Sequence, residues 1–113
     1  MKHELKLQPK FYNFILNGTK RIELRLYDEK RQQINIGDTI TFRKEPELEE
    51  TFDAKVVGLL RYTSFEALLN DFDMTTVADA SMSKGELLDA LQEFYTPEKQ
   101  NEYGIVGIKI ELL

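Results

Sequence analysis

A helix-ending Asn-Gly pair followed closely by a strictly alternating segment is the feature that most constrains this chain. Residues 9–18, PKFYNFILNG, place apolar side chains at helical spacing after a proline, and the closing Asn-Gly pair favours the positive φ at which many helices end. The next apolar residues, Ile22, Leu24 and Leu26, alternate with charged ones, which is the period of a strand with one buried face. The charged residues between them then share the opposite face.

The other alternating segments predict further strands. A Gly37-Asp38 turn precedes one of them, and Gly58 lies inside another, where a glycine favours a bulge or a barrel corner. The acidic run EPELEE between them is expected to be a loop. These segments read HELKLQ, INIGDTITFRKE, FDAKVVGLLRY and YGIVGIKIEL.

The region between the last two strands is predicted to be helical. Thr63 with Glu66, and Ser83 with Glu86, have the spacing of a capping box, in which the two side chains bond the free amides of a helix start. Each pair is followed by an apolar stripe, so the stripe residues, aromatic ones included, are assigned to the core. The stripes are Phe65, Leu68, Leu69 and Phe72, then Leu87, Leu88, Leu91, Phe94 and Tyr95.

The element order predicts an α+β fold that is mainly β. Strand, helix, three strands, a helical insertion and a last strand lack the regular alternation that a parallel doubly wound sheet requires. A small mixed or antiparallel barrel flanked by about three helices fits this order. The length of 113 residues is typical of one domain, so a single domain over residues 1–113 is expected.

Composition excludes several classes of function. The chain has no cysteine and one histidine, which rules out thiolate zinc sites and multi-histidine metal sites. The scattered glycines form no nucleotide-phosphate loop, and the acidic run at 45–50 lacks calcium-loop spacing, so no cofactor or metal is expected. Without an apolar segment that could span a membrane or a signal peptide, we expect no membrane association and a cytoplasmic location.

Charge is distributed unevenly along the chain. The net charge is -5, but residues 1–44 carry ten Lys/Arg and five Asp/Glu, whereas residues 45–113 carry five and fifteen. Such a split is compatible with a basic face that meets an anionic ligand and an acidic remainder that discourages nonspecific binding. Solvated surface would produce the same split.

The basic part contains the candidate site residues Lys20, Glu23 and Arg25. Residues two apart on a strand lie about 6 to 7 Å apart on one face, so Glu23 and Arg25 can pair or can hold one ligand together. Lys20 lies at the junction of helix and strand, where it could face either a cleft or solvent. From the residues alone, a structural ion pair and a ligand site both remain open. Tyr27 and Arg31 follow closely and join the candidate ligand-binding set.

The motif G-x-K-x-x-E-x-R, formed by Gly18, Lys20, Glu23 and Arg25 between a short helix and a later Gly-Asp turn, resembles the ASCH domain family. This resemblance extends to the final GIVGIKIEL. It implies a PUA-like β-barrel and an RNA- or nucleotide-binding role. In that role Arg25 and Lys20 would neutralise a phosphate and Glu23 would accept hydrogen bonds from a base or sugar. Tyr27 would offer a stacking face.

Two alternatives accompany this interpretation. Some ASCH-like proteins are small amidohydrolases that deacetylate N4-acetylcytidine with a lysine, a threonine and a glutamate. Lys20 matches that lysine, but Glu23 occupies the threonine position and Ala80 the place of the glutamate. A different enzyme would use Glu23 itself as a base toward an amide or nucleotide. Lys20 and Glu23 are thus the catalytic candidates if the chain is an enzyme, which the sequence leaves undecided. The other alternative is a regulatory module that binds protein through the acidic part. We expect a monomer.

Overall fold

One five-stranded mixed sheet organises the fold. The computed structural model describes residues 1–113, and the strands lie in the order β1-β3-β4-β5-β2, with β1 parallel to β3 and every other neighbouring pair antiparallel. The strands are β1 (Lys2–Leu7), β2 (Ile22–Leu26), β3 (Thr39–Lys44), β4 (Thr51–Tyr62) and β5 (Ile105–Leu112). The sheet curls into a half-barrel, which confirms the predicted small PUA-like α+β fold.

Five α-helices and one 3-10 turn accompany the sheet. They are α1 (Pro9–Leu16), α2 (Phe65–Leu69), α3 (Met74–Val77), α4 (Lys84–Phe94) and α5 (Pro97–Tyr103), and the 3-10 turn is Arg31–Gln33. The order of strands and helices follows the sequence prediction. The short helices α3 and α5 were not predicted, because four and seven residues are too few to show a helical period. None of the helices combines the length and the apolar character needed to cross a membrane.

The local signals around α1 and β4 are confirmed. Helix α1 begins at Pro9, and Gly18 just beyond its end has a φ of +87°. The register between β4 and β5 shifts between Val56 and Gly58, where the bulge was expected. Strand β4 can thereby run 12 residues while the sheet curls.

One of the two predicted capping boxes is correct. The Ser83 hydroxyl accepts from the amide of Glu86, and the Glu86 carboxylate accepts from the amide of Ser83. At α2 the prediction is wrong by one residue, because Ser64 is the capping residue and its hydroxyl accepts from the amide of Ala67. Thr63 and Ser64 both carry a hydroxyl group, and Thr63 was predicted because Glu66 follows it by three residues.

Two apolar cores lie on opposite sides of the sheet. The first fills the half-barrel and includes Leu5, Phe42 and Ile108. The second lies between the sheet and the helical region and includes Leu24 and Phe65. Every residue of β2 is buried, so its charged face is covered as well.

The stripe of α4 is only partly core. Leu87 is buried, but Phe94 is 61% exposed, which corrects its assignment to the core. Phe94 is the last residue of α4, where the helix extends past the surface that it covers.

Candidate ligand-binding cleft

A cleft opens where the sheet does not close, between the edge strands β1 and β2. We call this gap the seam and the cavity within it the seam cleft; its volume is about 250 Å³. Its walls come from both strands, from α1 and α4, and from the start of the acidic loop. The lining residues are Lys6, Leu7, Gln8, Phe11, Lys20, Glu23, Leu24, Arg25, Glu45, Leu87, Ala90, Leu91, Phe94 and Tyr95. The structure therefore brings three of the predicted site residues, Lys20, Glu23 and Arg25, to one cavity.

Lys20 is enclosed, and its ammonium group makes two hydrogen bonds and one ion pair. Its Nζ lies 2.6 Å from the carbonyl oxygen of Ile22, 2.7 Å from that of Val77 and 3.3 Å from Oε1 of Glu23. An ammonium group has three N–H donors, so these three acceptors match the protonated amine. Burial lowers the pKa of Lys20, and the charge of Glu23 opposes that effect. Lys20 thus joins the start of β2 to the end of α3.

Glu23 lies between the two cations. Its Oε2 accepts from Nε of Arg25 at 2.7 Å, and its side chain is 6% exposed. Burial alone would raise the pKa of Glu23, but the charges of Arg25 and Lys20 together outweigh it and hold the pKa below its ordinary value. The carboxylate is therefore ionised, and both of its oxygens have partners.

Arg25 retains free donors. Nε donates to Glu23, and Nη2 donates to the carbonyl oxygen of Lys6 across the seam at 2.6 Å. Nη1 makes no hydrogen bond within the chain and is not enclosed. Since a guanidinium group has five N–H donors, three remain for a ligand. Burial would lower the pKa of Arg25, but Glu23 raises it, so the group stays charged.

Comparison with known proteins identifies the family. The family model of the ASCH domain matches residues 5–113. The chain belongs to the ASCH-domain family.

Two solved structures resemble this ASCH domain over its whole length. The crystal structure of hypothetical protein PH0355 is 37% identical, with a TM-score of 0.87 and 100% of both chains covered. The solution NMR structure of protein PF0455 from Pyrococcus furiosus is 36% identical, with a TM-score of 0.79, covering 100% of this chain and 98% of that one. No curated protein matches the chain. The comparisons establish the family and the fold and name no ligand.

The other two candidate residues of the ASCH domain lie outside the seam cleft. The ring of Tyr27 packs against the guanidinium carbon of Arg61 at 3.5 Å from the ring centroid. Arg31 pairs with Asp28 at 2.9 Å, and its Nε is buried without a partner. Neither residue lines the cleft. Their spacing in the sequence was compatible with a shared site, but both residues lie beyond the end of β2 at Leu26.

Aromatic residues at the helices, rather than Tyr27, provide the aromatic surface of the cleft. Phe11, Phe94 and Tyr95 line the seam cleft of the ASCH domain, although sequence reasoning assigned the helical aromatics to the core. The signal that could have identified Phe94 is its position at the end of its stripe, next to Tyr95. When an apolar stripe continues to the last residue of a helix or beyond it, its final residues lie at the margin of the core.

The cleft of the ASCH domain contains no aliphatic hydroxyl group. Neither serine nor threonine lines it, and Tyr95 is its only hydroxyl-bearing residue. No cluster of three or more potential metal-ligating side chains occurs in the structure.

Proposed function

We propose that this ASCH domain binds a nucleotide or single-stranded RNA by taking one base-bearing unit into the seam cleft, with Arg25 as its main polar side-chain contact. The observation that carries the proposal is the free guanidinium edge of Arg25 inside a largely apolar, aromatic-walled cavity. Lys20 and Glu23 contribute by holding Arg25 in place, because their own hydrogen-bonding groups are occupied.

The lining residues and the volume of the seam cleft are compatible with binding of a nucleobase. Bases of single-stranded nucleic acids stack on aromatic side chains and on arginine planes, and each stacked base contributes about 1–3 kcal/mol. Phe94 is available for such stacking because most of its side chain is exposed. A cavity of about 250 Å³ lies below the usual range for drug-sized ligands, which favours a single ring system over a dinucleotide.

The amidohydrolase alternative has less support from the geometry. A lysine that activates a hydroxyl nucleophile must have a free amine near that hydroxyl. Lys20 instead donates to two carbonyls and pairs with Glu23, and no serine or threonine lines the cleft. The protein-binding alternative rests on the acidic part of the chain, and no contact favours it. Cytoplasmic location and a monomeric state stay predictions.

The test is a titration of the protein with nucleosides, nucleotides and short single-stranded RNAs, followed by NMR shift perturbation. Arg25→Ala should weaken binding about 10- to 100-fold, the range expected for lost hydrogen bonds to a charged group. Arg61→Ala is the matched control, because Arg61 is exposed and lies outside the seam cleft. Unchanged affinity in Arg25→Ala would refute the site assignment.

A second variant covers the case in which Arg25→Ala does not fold. Phe94→Ala removes an exposed ring, so the fold should be retained while affinity falls about 5- to 100-fold with the lost stacking. Ile36→Ala, at a residue with 66% exposure outside the cleft, should bind normally. N4-acetylcytidine is included in the panel, and its turnover to cytidine would favour the amidohydrolase over simple binding.

A further inference from the structure

The main chain of β2 faces the seam at every second residue. The amide of Ile110 donates to the carbonyl of Arg21, and the amide of Tyr27 donates to the carbonyl of Gly104, both at 3.0 Å. With the antiparallel register of β2 and β5, the odd-numbered residues of β2 therefore exchange hydrogen bonds with β5. The even-numbered residues direct their N–H and C=O groups away from β5, toward the seam.

Of these even-numbered residues, Leu24 lies in the seam cleft with an unpaired main chain. The carbonyl of Ile22 accepts from Lys20, whereas Leu24 has no hydrogen bond outside the sheet and β2 has no strand partner on the seam side. Leu24 is 4% exposed and lines the cleft. Buried main-chain groups nearly always have a partner, so an unpaired N–H and C=O in a cavity indicate a place for a ligand.

The opposite side of the seam has the same arrangement. The amides of Thr39 and Glu45 donate to the carbonyls of Met1 and Leu7, which places the odd-numbered residues of β1 against β3. The main chain of Lys6 therefore faces the seam, where its carbonyl already accepts from Nη2 of Arg25. Leu24 is thus left as the cleft residue whose main chain offers a free donor and a free acceptor side by side.

We propose, on the basis of the function proposed above, that the seam cleft reads the hydrogen-bonding edge of one nucleobase through the main chain of Leu24. The base donates to the C=O of Leu24 and accepts from its N–H, while Arg25 donates to a further acceptor of the base. The recognised part of a nucleotide is then the base, and the sugar and phosphate remain outside.

Chemical complementarity favours a base over a phosphate. The common bases carry a donor beside an acceptor on the edge that single-stranded RNA exposes, which matches the paired N–H and C=O of a strand residue. A phosphate has acceptors only, so it would leave the C=O of Leu24 unpaired. The carboxylate of Glu45 also lines the cleft and offsets part of the positive charge of Arg25.

The amide proton of Leu24 reports directly on this contact. In the free protein, we expect it to exchange with solvent faster than the amides of Glu23 and Arg25, which are bonded to β5. Saturation with a binding nucleoside should slow its exchange at least tenfold and shift its resonance. Leu26, which also faces away from β5 but does not line the cleft, is the internal control and should not change.

Ligand pairs separate the base from the rest of the nucleotide. Uridine is compared with 3-methyluridine, and adenosine with N6,N6-dimethyladenosine, because methylation removes the donor of the reading edge. We expect each methylated analogue to bind at least tenfold more weakly than its parent. Ribose 5-phosphate alone should not bind measurably.

The outcomes distinguish this inference from the function on which it rests. If a nucleoside or nucleotide binds in the cleft but leaves the Leu24 amide unprotected, or if ribose 5-phosphate binds as well as the mononucleotide, main-chain reading is wrong and nucleotide binding stands. If no nucleoside, nucleotide or RNA perturbs the residues of the seam cleft, both proposals fail.

Discussion

The three neighbouring charged residues Lys20, Glu23 and Arg25 have different roles. Lys20 holds Glu23, Glu23 holds Arg25, and only Arg25 has donors left for a ligand. The strand period predicted that Glu23 and Arg25 would share one face, whereas the orientation of Lys20, at the junction of helix and strand, was left open. The motif could not predict which of the three is available, since the carbonyls that occupy Lys20 come partly from Val77, in a helix that the sequence did not reveal.

Replacement of Lys20 tests its structural role. Lys20→Met keeps the length of the side chain but leaves Glu23 with one cation fewer and two buried carbonyls without a donor. The free energy of unfolding should fall by about 3–5 kcal/mol, as when one partner of a buried ion pair is removed. Urea denaturation measures this change.

Lys10→Met is the control for that experiment, because Lys10 is exposed on α1 and makes no ion pair. Its free energy of unfolding should stay within about 0.5 kcal/mol of the wild-type value. Equal stabilities of the two variants would mean that Lys20 does not hold β2 and α3 together.

At the level of elements, β2 shows what a sequence pattern can and cannot predict. The alternation of Ile22, Leu24 and Leu26 correctly predicted a strand. The charged face gave no sign of being buried, because the residues that cover it come from β1, α1 and α4, which are distant in the sequence. The alternation of apolar residues identifies a strand, whereas the burial of each face of that strand depends on which other elements pack against it.

The turn before β3 gives a prediction about pH. Oδ2 of Asp38 lies 2.8 Å from Nε2 of His3 on β1 and accepts from the amide of Asn35 at 2.9 Å. The hydrogen bond with His3, followed by that from Asn35, lowers the pKa of Asp38 from 3.8 to about 2. A carboxylate with a depressed pKa stabilises the fold above its ordinary pKa, and this stabilisation is lost as the pH falls from about 4 to about 2.

Asp38→Asn removes that dependence. At neutral pH the variant should be less stable than the wild type, and the difference should shrink as the pH falls from about 4 to about 2. Urea denaturation across this range measures it, with the exposed Asp89→Asn as control. A difference between Asp38→Asn and wild type that is constant from pH 2 to pH 7 would contradict the assignment.

At the scale of the whole molecule, charge limits how RNA can bind. The net charge is -5, and of the cations that line the cleft only Arg25 and the exposed Lys6 have unpaired donors. Each phosphate neutralised on a single strand contributes about -0.7 to the slope of log K against log salt. With two such cations, we expect a slope no steeper than about -1.4 for a short RNA and close to zero for a nucleoside.

Affinity measured between low and high salt gives this slope. A slope of about -3 or steeper would mean that several phosphates contact the basic part of the chain, residues 1–44, and that the seam cleft is not the main RNA contact. The sequence contains the charge split and predicted the family, but a count of charges along the chain does not say which cations lack a partner after folding.

The open seam also bears on how this protein avoids aggregation. Edge strands expose unpaired main-chain groups that can join the sheet of another molecule. Here the two edges, β1 and β2, face each other, and the only hydrogen bond between them runs from Arg25 to the carbonyl of Lys6. The seam that provides space for a ligand therefore also keeps the unpaired main-chain groups of both edge strands from pairing with another molecule.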